Sequence, residues 1–184
     1  LPQSAHHDFA VSASLVDKCH IIVLGAGKGT RMKASRPKVL HRLGGIPLIA
    51  HVLHAAQSLQ PTTTTVVVGD HAEAIAQALE PSSSIQFVRQ SPQLGTAHAL
   101  LQTEQILTRE KGSLVVLSGD VPRIRPKTLR RLLKSHEDTG ATATVLTAVL
   151  HRPFGYGRII RQNGQFAKIV EEADATSAER VIRE

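Results

Sequence analysis

Residues 20–41 read HIIVLGAGKGTRMKASRPKVLH, an apolar run that stops at a glycine and gives way to a segment rich in glycine and then in basic residues. Residues 21–24 contain no polar side chain, the pattern of a strand covered on both faces within a parallel sheet. Similar runs recur at residues 65–68, 85–88 and 114–117. Segments with helical spacing separate them: 48–59, with Pro47 at the first helical position, then 71–79 and 96–108. Strand alternating with helix predicts right-handed crossovers and a mostly parallel sheet.

Working outward, residues 1–19 show neither helical nor alternating periodicity and read as a disordered extension, so the domain is expected to span 20–184. The threonines of 62–65 read as a polar tract leading into a strand. After a helix expected at 128–136, the texture changes. Residues 142–150 are rich in β-branched side chains, and 158–161 and 165–170 flank Asn163-Gly164, a strong hairpin signal, so these strands are expected to be antiparallel.

Composition narrows the function classes. With 184 residues and 41% hydrophobic content, the chain suits one globular domain. The single Cys19 cannot form an internal disulfide, and no apolar run approaches the roughly 20 residues that span a bilayer, so the expectation is a cytoplasmic protein without membrane contact. Residues 9–16 lack the basic flank of a signal peptide. The net charge of +7 invites a nucleic-acid reading, but its distribution argues otherwise. Lys28, Arg31, Lys33, Arg36, Lys38 and Arg42 lie in one short segment with no acid between them, which suits a compact polyphosphate. No Trp, one Tyr and four Phe leave little on which to stack bases.

The chemistry is carried by the loop after the first strand. Gly25, Gly27 and Gly29 at alternate positions let backbone N–H groups approach a ligand without interference from Cβ, the makings of an anion nest. The spacing is neither G-x-x-x-x-G-K-[ST] nor the dinucleotide pattern G-x-G-x-x-G. Thr30, Arg31 and Lys38 follow, with Pro37 stiffening the chain before the lysine. Asp120, in SGDVP after the run 114–117, stands at the carboxyl end of a strand, where open α/β sheets bind ligands and where a carboxylate suits Mg²⁺. Taken alone, Asp120 could equally cap a turn. Gln90 and Gln93 could be loop surface, and Thr96 a helix cap. His51, His54, His71, His98 and His136 are scattered without metal-like spacing and read as surface or packing residues.

The stretch 24–38 resembles the signature of the sugar nucleotidyltransferase family, L-[AG]-A-G-x-G-T-R-M followed by P-K, with Gly25 where alanine is usual. Its continuation through His41 resembles the N-acetylglucosamine-1-phosphate uridylyltransferases, found in bifunctional bacterial enzymes that carry a C-terminal acetyltransferase. The resemblance implies an α/β fold, a Rossmann-like, mostly parallel mixed sheet flanked by helices, with the start of an antiparallel sugar-binding lobe. It implies UTP and N-acetylglucosamine 1-phosphate as substrates and Mg²⁺ as cofactor. It assigns catalysis to Arg31, Lys38 and Asp120, with Asp120 as metal ligand. Nucleotide binding falls to Leu24, Gly25, Ala26, Gly27, Lys38, Gln90, Gln93, Gly95, Thr96, Ser118 and Gly119, the glutamine loop reading uracil. Gly157 and Glu171 take the sugar phosphate. It further implies that a second metal-binding side chain and a sugar-contacting asparagine lie beyond Glu184, and that the full-length protein is a homotrimer. A nucleotidyltransferase for another sugar or alcohol phosphate, and a nucleotide-binding module without catalysis, stay open at this point.

Overall fold

The structure is a computed structural model and describes residues 18–27, 36–79 and 84–184. Four strands form its central sheet: β1 (Cys19–Leu24), β4 (Thr63–Val68), β5 (Ile85–Arg89) and β6 (Ser113–Ser118), in the order β5-β4-β1-β6. Every neighbouring pair is parallel, with Leu24 opposite Val67 on one side and Ser118 on the other. Because side chains alternate between the two faces, β1, flanked by a strand on each side, carries no polar residue from Ile21 to Leu24, whereas the edge strand β5 carries the exposed Gln86. Ile21, Val23, Val66 and Val68 feed one apolar cluster, while Ile22 and Val67 feed a second on the opposite face. Both faces therefore need helices.

The first face is covered by α1 (Leu48–Gln57), which buries Ile49, Val52, Leu53, Ala55 and Ala56, by Ile75 of α2 (Ala72–Ala78) and by Leu129 of α5 (Pro126–Thr139). The second is covered by Ala99 and Leu100 of α3 (Thr96–Leu101) and Leu107 of α4 (Glu104–Leu107). Each fully buried Val, Ile or Leu contributes about 1.5–3 kcal/mol through the water it sheds. A two-residue hairpin, β2 (Arg42–Leu43) with β3 (Ile46–Pro47), precedes α1.

Several sequence expectations are adjusted. Pro47 is not the first helical residue: at φ −55° and ψ 143° it is extended, pairs with Arg42 and precedes α1. The polar tract is partly strand, because β-branched Thr63 and Thr65 turn inward, Thr63 Oγ1 lying 2.8 Å from Nδ1 of the buried His20. The expected helix over 96–108 is two helices. Thr103 is fully buried and its amide and hydroxyl both bond back to the Leu100 carbonyl, the hydroxyl at 2.6 Å, which breaks the regular ladder between α3 and α4. β1 opens at Cys19, two residues before the expected run 21–24, and the expectation of a disordered extension concerns residues of which 1–17 lie outside those described.

The chain divides into two units, Leu1–Lys134 and Ser135–Glu184. In the second, β7 (Arg158–Gln162) and β8 (Gln165–Val170) pair antiparallel about Asn163 and Gly164, at φ 51° and 79°. Two consecutive left-handed residues are what a tight hairpin requires, and Asn-Gly supplies them at least strain. A short α6 (Ser177–Arg180) follows, opened by a capping box between Thr176 and Glu179. The β-branched stretch 142–150 is no strand. Apart from Leu150, whose amide donates to the Arg183 carbonyl at 2.8 Å, it forms no ladder among the described residues, and a β-prone sequence without a partner strand stays irregular.

Candidate functional site

Because β1, β4 and β6 run parallel and side by side, their carboxyl ends open on one edge of the sheet, and each is followed at once by a glycine: Gly25, Gly69 and Gly119. The Gly25 amide donates to Val67 O at 2.8 Å and the Gly119 amide to Leu24 O at 2.9 Å, so the pairing runs one residue past the strands. A Cβ would stand 3.1 Å from Val67 O at Gly25, 3.0 Å from Leu24 O at Gly119 and 1.8 Å from Nε2 of Gln93 at Gly69. The rim is therefore packed backbone to backbone. Alanine at position 25 would require the Val67 carbonyl to give way by a few tenths of an ångström.

Behind that rim is a cleft of about 220 Å³, lined by Gly25, Ala26, Gly27, Pro37, Gly69, Asp70, His71, Ile75 and Gln93. Gly25, Ala26, Gly27 and Gln93 were expected here. Pro37, Gly69, Asp70, His71 and Ile75 were not read from the sequence as site residues, and His71, which is exposed, was set aside as a surface or packing residue. The signal was present: 65–69 repeats the apolar-run-then-glycine pattern of 21–25.

Lys38 opens a short 3-10 turn (Lys38–Leu40) anchored by buried Val39 and Leu40, and its Nζ lies 2.6 Å from Asp120 Oδ2. Asp120 follows Ser118 and Gly119 at the end of β6. The two side chains remain 44% and 29% exposed, so the pair is open to solvent and to a ligand. Two of the three residues expected to carry catalysis thus meet. The third, Arg31, lies outside the described residues, as do Lys28, Gly29 and Thr30.

The two glutamines of the loop after β5 differ in situation. Gln90 is buried, its amide donates to Val68 O at 2.7 Å, and its Nε2 donates to Gly95 O at 2.9 Å and lies 3.0 Å from His98 Nδ1. Gln90 thereby fastens the loop. Gln93 points its Oε1 into a buried position with no hydrogen-bond partner among the described residues, an acceptor left free at the cleft. Gly95, at φ 93°, makes the turn that starts α3 and is its N-cap, with Thr96 the first helical residue and no side-chain cap present.

In the second unit Gly157 and Glu171 come together: a Cβ at Gly157 would lie 3.8 Å from the Glu171 carboxyl carbon and 3.1 Å from Ile169. Glu171 is exposed, whereas its neighbour Glu172 accepts from Arg158 Nη2 at 2.6 Å. That bond, aided by one from the Gly155 amide, holds the Glu172 carboxyl below the usual carboxylate range. Arg158, buried to 2% exposure, was not singled out from the sequence. Among the described residues no three His, Cys, Asp or Glu side chains cluster as a metal site, and no helix is long and apolar enough to cross a membrane.

The chain is 48% identical over 168 residues to the bifunctional protein GlmU of Syntrophotalea carbinolica and 46% identical over 166 residues to that of Streptococcus mutans, matches that cover 91% and 90% of it. The chain spans 36% of the length of each of these relatives. Among solved structures, a UDP-glucose pyrophosphorylase complexed with UDP-glucose superposes with a TM-score of 0.71 at 18% identity, covering 90% of this chain and 72% of that one. A nucleotidyl transferase from Methanothermobacter superposes at 0.55 with 24% identity over 76% of this chain and 64% of that one. These likenesses show a shared fold, with a mostly parallel sheet flanked by helices. Residues 21–184 match the MobA-like NTP transferase domain, and the chain belongs to that family.

Proposed function

We propose that the chain is part of the uridylyltransferase region of a protein that makes UDP-N-acetylglucosamine from UTP and N-acetylglucosamine 1-phosphate. The observation that supports it most is the Lys38–Asp120 pair standing beside the glycine rim at the carboxyl ends of β1 and β6, together with the 45–48% identity to proteins described as bifunctional GlmU.

In this reading a phosphate oxygen of the sugar phosphate attacks the α-phosphorus of UTP. The new P–O bond forms as the bond from that phosphorus to the α,β-bridging oxygen breaks, and pyrophosphate leaves with the electron pair. The nucleophile is already anionic, so no protein base is needed, and the protein acts by positioning and by neutralising charge. The Ala26 and Gly27 amides and the Lys38 ammonium hold the triphosphate, with Gly25, its own amide bonded to Val67 O, keeping the rim free of a side chain. Arg31 is assigned there too from the resemblance. Gln93 Oε1 offers an acceptor to the N3–H of uracil while Gln90 keeps its loop in place.

A lone accessible carboxylate fits a Mg²⁺ ion that takes most of its ligands from phosphate and water, and Asp120 is that group here. Bound there, the ion would supply charge neutralisation at the transferring phosphate. Gly157 and Glu171 receive the sugar phosphate, the glycine by close approach and the carboxylate by accepting from sugar hydroxyls. Label transfer tests the reading in the whole protein: α-³²P from UTP should appear in the nucleotide sugar and γ-³²P in pyrophosphate. Label from the γ-position on the sugar would contradict it.

A further inference from the structure

The second unit buries a full positive charge. Arg158 is 2% exposed in a segment where Phe154 is 84%, Tyr156 63% and Phe166 56% exposed. Leaving a guanidinium without water is costly unless its donors are met and a counter-charge is near. Here they are met, and by a particular set of groups. Nη1 donates to the Tyr156 carbonyl, Nε and Nη2 donate to the Arg180 carbonyl at 3.4 and 3.3 Å, and Nη2 donates to Glu172 Oε2 at 2.6 Å. The same Glu172 oxygen accepts from the Gly155 amide at 3.3 Å.

The turn at 155–157 is thus gripped at one carbonyl directly and at one amide through Glu172. Gly155, at φ 79°, supplies the bend that lets both be reached. The grip also reaches Glu171, the residue before Glu172, whose carboxyl carbon faces the bare Cα of Gly157 at 3.8 Å from the missing Cβ. Holding Glu172 in place fixes the backbone that carries Glu171. The hydrogen bond from Arg158 keeps Glu172 ionised well below neutral pH, so the grip persists at working pH. An apolar side chain of similar size would fill the same space as well or better. What only the planar fork of arginine supplies is simultaneous hold on Tyr156, Arg180 and Glu172.

We propose that Arg158 is a positioning residue of the sugar-phosphate subsite: without touching the sugar, it sets the Gly157 backbone and the Glu171 carboxylate at the spacing that receives a sugar 1-phosphate. The proposal rests on the function proposed above. Its test compares Arg158→Met, Arg158→Lys and Glu172→Gln with the parent in the whole protein, reading the KM for N-acetylglucosamine 1-phosphate, the calorimetric Kd for UTP and the Tm.

Loss of a charge-assisted network should raise the sugar-phosphate KM by about tenfold or more in Arg158→Met. UTP affinity should stay within about twofold, since none of the lost bonds belongs to the nucleotide cleft. Arg158→Lys should rescue little, because one ammonium cannot reach three partners, and Glu172→Gln should shift the same KM in the same direction by less. Should Arg158→Met fail to fold, the lysine and Glu172 variants carry the comparison. Unchanged sugar-phosphate KM in all three, or equal weakening of both substrates in step with Tm, would overturn the proposal alone. A parent protein that uses UTP with no sugar 1-phosphate would overturn the functional reading, and the proposal with it.

Discussion

Lys38 and Asp120 form an ion pair at 2.6 Å, yet with the side chains 44% and 29% exposed it contributes no more than about 1 kcal/mol to folding. Its place is better explained by ligand chemistry: lysine for phosphate, carboxylate for metal, each neutralising the other until substrate arrives. Lys38→Ala should therefore weaken UTP binding by about 1.5–3 kcal/mol, tenfold or more, while leaving the melting temperature nearly unmoved. Calorimetry and thermal melts read the two effects separately. A large drop in melting temperature with unchanged UTP affinity would make the pair structural.

Gly69 gives a second test at this scale. A Cβ there would sit 1.8 Å from Gln93 Nε2, so Gly69→Ala must push the Gln93 amide out of the cleft. The expected result is a loss of preference for UTP over CTP, worth about 1–3 kcal/mol of discrimination. Binding measured with both nucleotides checks it, and an unaltered ratio would remove Gln93 from base reading. The loop 24–38 could be read from sequence because its glycines alternate and basic residues follow without an acid. Gly69 was passed over although 65–69 repeats the pattern of 21–25, because no further glycine or basic run follows it to mark the turn as a ligand loop. The division of labour between Gln90 and Gln93 depends on which amide the fold encloses, and spacing alone does not carry that.

Among the elements, the central strands β1 and β4 were legible because a strand covered on both faces has few polar positions to blur it, while the edge strands β5 and β6, with Phe87, Leu114 and Val116 partly exposed, were legible from their apolar content. The β7–β8 hairpin was legible for a local reason, since Asn163-Gly164 is chosen by the turn itself. Two readings failed where tertiary context decides. Periodicity across 96–108 could not show that the Thr103 side chain competes with the helix ladder. β-branching across 142–150 could not show whether a partner strand lies beside it.

The smaller unit is held by carboxylates, which gives it an acid limit. Glu179 is lowered from 4.5 to about 2 by the Thr176 amide and hydroxyl and by Lys168, and Glu184 likewise to about 2 by Arg161 and Thr147. Glu172 is lowered by Arg158. A depressed folded-state value stabilises the folded form above the unfolded value and loses that effect as pH falls through the folded one. Order in α6 and the hairpin should therefore decline between about pH 4.5 and 2, by the unfolded and folded values of Glu179 and Glu184. Amide shifts of Thr176 and Glu179 followed by NMR check this. Loss of order already complete above pH 5 would show that these carboxylates are not what holds the unit.

At the scale of the molecule, charge and architecture agree. The net charge of +7 is concentrated where an acid-free run, 28–42, follows a strand that opens on the glycine rim, as expected for a protein handling triphosphates. The α/β class could be read from the order of apolar and amphipathic segments. The assignment of the second unit to sugar came only from resemblance, because a glycine turn and an exposed glutamate carry no such message by themselves. The central claim is that this chain supplies the nucleotide and sugar-phosphate sites of a uridylyltransferase. Pyrophosphate release by the whole protein, measured over UTP, CTP, dTTP and ATP crossed with N-acetylglucosamine 1-phosphate and glucose 1-phosphate, tests it most directly. Release that peaks for UTP with N-acetylglucosamine 1-phosphate and collapses in Asp120→Asn is the predicted result. Equal rates across nucleotides, a preference for glucose 1-phosphate, or full activity without the Asp120 carboxylate would contradict it.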